Sequence, residues 1–150
     1  MTLQNMPKLY CTIQYESQRT DLPTKKQFQK WAKAAVNVDT EVTIRLVDEQ
    51  EGKELNSMYR GKDYATNVLT FPLTETPVLM GDIIICAPVV ESEAQFQQKS
   101  LEAHYAHLTV HGMLHLHGYD HEIEPQAVLM ESIEISILSK LGYANPYLVR

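Results

Sequence analysis

All six histidines of this 150-residue chain fall between His104 and His121, and the segment His111 to His121, HGMLHLHGYDH, leaves few ways to fold. His111 and His115 are spaced i, i+4, so on a helix they project from one face, a turn apart, where both imidazoles reach a single ion. Gly118 supplies the left-handed backbone that ends a helix and lets the chain turn back. That return brings His121 round as a third ligand. Three neutral imidazoles at about 2.0–2.1 Å leave the fourth tetrahedral position open to water or substrate, which marks a catalytic zinc site rather than a closed structural one. One zinc-like ion per chain is expected on His111, His115 and His121, where it would acidify bound water and polarise a phosphoryl or carbonyl oxygen. Copper and nickel compete for imidazole sites, so zinc is inferred from geometry and availability.

The remaining histidines read differently. His117 lies about 200° around the helix from His115 and is expected to face away from the ion. His104 and His107 continue the His111 stripe toward the N-terminus, either as supporting or substrate-facing groups or as ordinary surface or buried histidines. Asp120 either orients a ligand imidazole or is simply a turn residue. The pattern superficially matches the zinc-protease signature HExxHxxGxxH, whose Glu is the general base. Here that position is Gly112, which cannot take a proton from water, and this counts against a standard metalloprotease.

Along the rest of the chain, Lys8 to Glu16 alternates as a strand, with Leu9, Cys11, Ile13 and Tyr15 on one side. Thr24 and Gln27 form a capping-box pattern that opens a helix with Phe28, Trp31, Ala32, Ala35 and Val36 on its apolar face. Val42, Ile44 and Leu46 mark a second strand. Asp48 to Tyr59 reads as a helix ended near Gly61, and Asn67 to Phe71 as a short strand stopped by Pro72. Met80 to Cys86 contains three consecutive isoleucines, as in a strand covered on both faces. Helices follow over Pro88 to Lys99 and Leu101 to His117, the latter capped by Ser100. A last helix opens at Pro125, places Leu129, Ile133 and Ile137 on one side and stops at Gly142. Early strands and late helices predict an α+β fold (a mixed α/β layer), with helices packed on a four-stranded sheet and the three-histidine site on a helix of the C-terminal half and the turn after it. Residues 1–150 read as one domain, without repeats or linkers.

A hydrophobic content of 44% with 21% charged residues is that of an ordinary globular chain. No apolar run approaches the roughly 20 residues of a membrane span, and Met1 to Lys8 lacks the apolar centre of a signal peptide. A soluble, cytoplasmic protein with no membrane partner is expected. Cys11 and Cys86, in apolar strand-like stretches and outside any CxxC pair, are expected to be buried reduced thiols. The net charge of −6 is not the footprint of a nucleic-acid binder. Residues 101–150 hold only two Lys and Arg against six Asp and Glu, however, which leaves room for a basic face in the first half. Lys26, Lys30 and Lys33 stand together on the first helix, either as a surface that follows a phosphate backbone or as a plain solvated face.

HGMLHLHGYDH resembles the H-x3-H-x5-H motif of the YbeY family of metal-dependent endoribonucleases. Leu55 to Pro72, LNSMYRGKDYATNVLTFP, resembles that family's other diagnostic segment, and GDIIIC from Gly81 to Cys86 the strand that follows it. The likeness runs over most of the chain in the family's order, with no departure in either long motif. The resemblance implies a compact α/β domain, zinc on the three histidines, and single-stranded RNA as substrate. It further implies roles in small-subunit ribosomal RNA maturation and ribosome quality control, with the ribosome or its small subunit as partner. It carries the family's functional arginine onto Arg60.

Arg60 also makes sense chemically, because its guanidinium fork grips a phosphate bidentately and would stabilise the charge that phosphodiester cleavage builds. Lys62 would add charge nearby. No residue stands out as general base. Asp82 and several Glu are candidates, and the ion's own water or a ribose 2′-hydroxyl is the alternative nucleophile. Two rivals remain: a metal-dependent hydrolase of another bond, and a ribosome-associated binding protein whose metal is structural.

Overall fold

The structure is a computed structural model that describes residues 6–148. Its element order is β1 (Leu9–Tyr15), α1 (Lys25–Ala34), β2 (Thr40–Val47), α2 (Glu49–Arg60), β3 (Val68–Thr74), β4 (Leu79–Cys86), α3 (Ala87–Phe96), α4 (Leu101–Leu116) and α5 (Glu124–Leu141). The four strands form one sheet in the order β1-β2-β4-β3. The first three run parallel, and β3 lies antiparallel to β4 at the edge. The expected mixed α/β layer is present, with its helices on both faces of the sheet.

Local chemistry accounts for the element ends. The Gln27 N–H donates to Thr24 Oγ1 at 3.2 Å and the Thr24 N–H to Gln27 Oε1 at 2.9 Å, closing the capping box that starts α1. The Ala103 N–H donates to Ser100 Oγ at the start of α4. Gly61 and Gly142 take left-handed conformations where α2 and α5 stop.

β4 is buried on both faces, as its isoleucine run predicts. Ile83 and Ile85 join the main core with Phe28, Trp31, Tyr105 and Met113, whereas Ile84 and Cys86 join a smaller cluster with Val47 and Leu69. Buried area of this kind contributes roughly 25 cal/mol per Å², so these two clusters hold α4 on one face of β4 and α2 on the other.

α4 lies flush on the sheet. A Cβ on Gly112 would meet Ile83 Cγ2 at 3.1 Å, and one on Gly81 would meet Leu116 Cδ2 at 2.6 Å. This contact fixes the rotation of α4. Its glycine side faces β4, and its histidine row turns toward α5 and the open end of the sheet.

Three expectations shift. β3 continues through Pro72 to Thr74 rather than stopping. Proline is tolerated there because β3 is an edge strand with β4 as its sole strand partner among the described residues, and the ladder shifts register just after it. α3 ends at Phe96, short of Lys99, where Gln98 adopts a positive φ of 55°. The buried side of α5 is Met130, Glu134 and Leu138; Leu129 is exposed, while Ile133 and Ile137 flank the core. The apolar residues alone misplace that face by one position, because its centre is a carboxylate.

Both cysteines are free, Cys86 buried and Cys11 partly so. Burial pushes the Cys11 thiol up to about 12, so it is a neutral packing group. Among the described residues no helix is long and apolar enough to cross a membrane. Most of the expected N-terminal reading, residues 1–5, lies outside the described residues.

Candidate metal centre

α4 presents His104, His107, His111 and His115 in a row at helical spacing. Beyond its end Gly118 takes a φ of 97°, and the chain doubles back through Tyr119 and Asp120. This return sets His121 against the helix pair. Ring centroids are 4.7 Å apart for His111 and His115, 4.8 Å for His115 and His121, and 5.2 Å for His111 and His121. One nitrogen from each ring lies within 4.8 Å of the other two, a spacing that could hold a metal ion.

The donor set fits such an ion. No hydrogen bond within the described residues occupies the His115 or His121 ring nitrogens, and His111 commits only Nδ1, to Glu134. Burial and then the neighbouring His111 and His121 push the His115 imidazolium down to about 4, so at neutral pH the ring is an unprotonated donor. In chelator-treated protein an NMR titration of the His115 ring is expected to give a midpoint near pH 4 instead of 6.5. A midpoint near 6.5 would mean that neither burial nor the neighbouring rings act on His115 as this geometry requires.

Behind the cluster stands a residue that sequence reading missed. Glu134 of α5 is fully buried. His107 Nε2 lies 2.9 Å and His111 Nδ1 3.1 Å from its Oε2, and the Tyr147 hydroxyl donates to its Oε1 at 2.7 Å. Burial alone would raise the Glu134 pKa, but the hydrogen bonds from His107 and His111 outweigh it and bring the carboxyl to about 2. An ionised Glu134 accepts the proton on His111 Nδ1, which leaves Nε2 as the free ligand atom. A carboxylate behind a ligating imidazole commonly sets its tautomer in this way. The available signal was the i, i+4, i+8 series Met130, Glu134 and Leu138, a charge at the centre of an apolar helix face. His107, His111 and Glu134 form a second group with metal-ligand spacing, and their mutual hydrogen bonds account for it.

The other singled-out residues sort clearly. His117 faces away as expected: its Nδ1 is 2.7 Å from the Met113 carbonyl, and its Nε2 accepts from the Asn37 N–H at 3.5 Å. His104 is buried against Glu93, with Nε2 2.9 Å from Oε1. Asp120 accepts the His121 backbone N–H at 2.7 Å, which makes it a turn residue and not a partner of the ring. Asp82 alternates with Gly81 and Ile83, whose sides pack on α4, so it sits on the opposite face of the sheet from the histidines. That placement removes it as a base for this site. Gly112 abuts Ile83 in the core, so even a glutamate there would point into the sheet and not at the cluster.

His115 and His121 open onto a cleft of about 660 Å³. Its opposite wall is the end of α2, with Tyr59 and Arg60, and the run Val68 to Pro72 of β3. Arg60, from the diagnostic segment, is thereby brought to the histidines. Lys62 is exposed just beyond Gly61 and does not line the cleft; nor do Lys26, Lys30 and Lys33, which are exposed on α1.

A layered α/β fold with a three-imidazole cluster, two rings of which open onto an arginine-bearing cleft, is the framework of a metallohydrolase. Comparison with known proteins narrows that class. Residues 12–142 match the family described as Endoribonuclease YbeY. An Endoribonuclease YbeY of Methylobacillus flagellatus is 65% identical over 142 residues, covering 95% of both chains. One of Nitrosomonas europaea is 53% identical, over 95% of this chain and 87% of that one. The solution structure of TM1509 from Thermotoga maritima superposes with a TM-score of 0.57 at 30% identity, over 92% of this chain and 99% of that one. The chain belongs to the YbeY endoribonuclease family.

Proposed function

We propose that this protein is a zinc-dependent, single-strand-specific endoribonuclease of the cytoplasm. Its proposed work is maturation of the 3′ end of small-subunit ribosomal RNA and ribosome quality control, with the small subunit as partner. One observation carries the reading: two rings of the three-imidazole cluster, His115 and His121, share a single cleft with Arg60. Family membership supports it.

His111, His115 and His121 would hold the zinc ion, which supplies Lewis acidity and an acidified water. The chain's own residues do the rest. Glu134 holds the His111 ring in the tautomer that ligates. Arg60 donates parallel hydrogen bonds to the phosphate under attack, and these strengthen as charge grows on its oxygens. Lys62, exposed beside it, adds positive charge for the flanking backbone. Asp120 and Glu122 are the carboxylates that line the cleft. Glu134 lies behind the cluster with both oxygens engaged, so it positions and does not exchange protons with substrate.

Chelator-treated protein reloaded with zinc is expected to cut a single-stranded fragment of small-subunit ribosomal RNA. The same sequence annealed to its complement, and casein, should stay intact. Cleavage that survives chelation, or duplex cut as fast as single strand, would sink the reading.

A further inference from the structure

Tyr59 stands out among the cleft residues that neither ligate nor carry charge. It is the last residue before Arg60, in the final turn of α2, and 61% of its surface is exposed. Phe71 of β3 supports it from one side, with ring centroids 4.7 Å apart and planes tilted by 56°. Among the described residues no hydrogen bond holds its hydroxyl. Both residues line the cleft that His115, His121 and Arg60 share. An aromatic ring braced on one side and bare on the other exposes a large apolar surface to water. Such surface next to a phosphate-gripping arginine fits one occupant well, a planar aromatic group attached to a phosphate.

We infer that Tyr59 is a base-stacking platform, on which an unpaired nucleobase next to the scissile phosphate lies. The inference rests on the RNA reading above and adds how the strand is held. Arg60 takes the phosphate, and its neighbour in sequence takes the base. Stacking on an aromatic side chain tolerates any base, because every base has a π-face. It also demands a base free to splay out of its helix, which paired RNA does not offer. The preference for single strands then arises at Tyr59 and Phe71, and not at the histidines.

The test measures binding as well as turnover. Chelator-treated full-length protein, which binds without cutting, is titrated into a fluorescently labelled single-stranded oligoribonucleotide. Tyr59→Ala is expected to weaken binding on the order of tenfold to a hundredfold, the range found for losing one stacked base. Tyr59→Phe and Tyr59→Trp should retain wild-type affinity. In zinc-reloaded enzyme the loss should fall on KM and not on kcat. An RNA made abasic at the stacked nucleotide should bind wild type as weakly as the intact RNA binds Tyr59→Ala, with no further loss when the two changes are combined. If Tyr59→Ala binds intact RNA like wild type, or if Tyr59→Phe is as weak as Tyr59→Ala, the platform is overturned while the endoribonuclease reading stands. If wild type neither binds nor cuts single-stranded RNA, both fall together.

Discussion

His115→Ala is expected to lose its bound metal and its RNA cleavage together, whereas Arg60→Ala should keep the metal and lose only cleavage. His115 is one corner of a nearly equilateral triangle of rings, 4.7 Å from His111 and 4.8 Å from His121 by centroid. Its removal leaves two ligands where a tetrahedral site with an open position needs three. Alanine is the best helix former, so α4 should survive the change. Metal content measured on purified protein should fall to background, and activity to that of chelator-treated wild type. Arg60 is exposed at the end of α2 and belongs to neither core cluster. Losing one donor aimed at developing charge typically lowers kcat about 100- to 1000-fold. Arg60→Lys should recover only part of this, because an ammonium lacks the planar fork. Equal cleavage by all three preparations would point to a contaminating nuclease and leave the metal site without this role.

The second large effect is expected at Glu134. Glu134→Gln keeps the shape but removes the anion that polarises His111 and His107, and metal affinity should fall roughly 10- to 100-fold. Glu134→Ala also strands the His107 and His111 N–H groups and the Tyr147 hydroxyl, a loss on the order of 3 kcal/mol in stability. A pH signature separates the charge from the packing. Because folding lowers the Glu134 pKa from 4.5 to about 2, its contribution is complete above pH 4.5 and disappears as pH falls through 2. The stability gap between metal-free wild type and Glu134→Gln should close over that range. A gap that stays constant from neutral pH down to pH 2, or unchanged metal affinity in Glu134→Gln, would show that the carboxylate only fills space.

How much of this was legible depends on whether the governing interaction is local. The three-histidine cluster was readable because every part of it lies within eleven residues and obeys backbone geometry: an i, i+4 pair, a glycine with φ of 97°, and a return. The capping box of α1 and the doubly buried β4 were readable for the same reason. Pro72 was misread as a strand end because its tolerance depends on which strand lies at the sheet edge, a property of the whole topology. Asp82 looked like a candidate base until the parity of β4 put it on the far face. Glu134 left only the faint trace of a charge within an apolar helix face, because its partners, His107, His111 and Tyr147, lie up to 27 residues away in sequence and an apolar count discards a carboxylate. The joining of Arg60 to the histidines came only by resemblance, since α2 and α4 lie on opposite faces of β4 and are separated along the chain by β3, β4 and α3.

The edge position of β3 bears on how molecules of this protein behave toward one another. Among the described residues β4 is the sole strand partner of β3, whose run Val68 to Pro72 lines the cleft. An uncovered strand rim is a template for sheet growth between molecules. Pro72 has no N–H to offer a neighbouring chain, and the register shift between Pro72 and Thr74 bends the ladder there. These two irregularities thus make the rim beside the cleft a poor seed for aggregation.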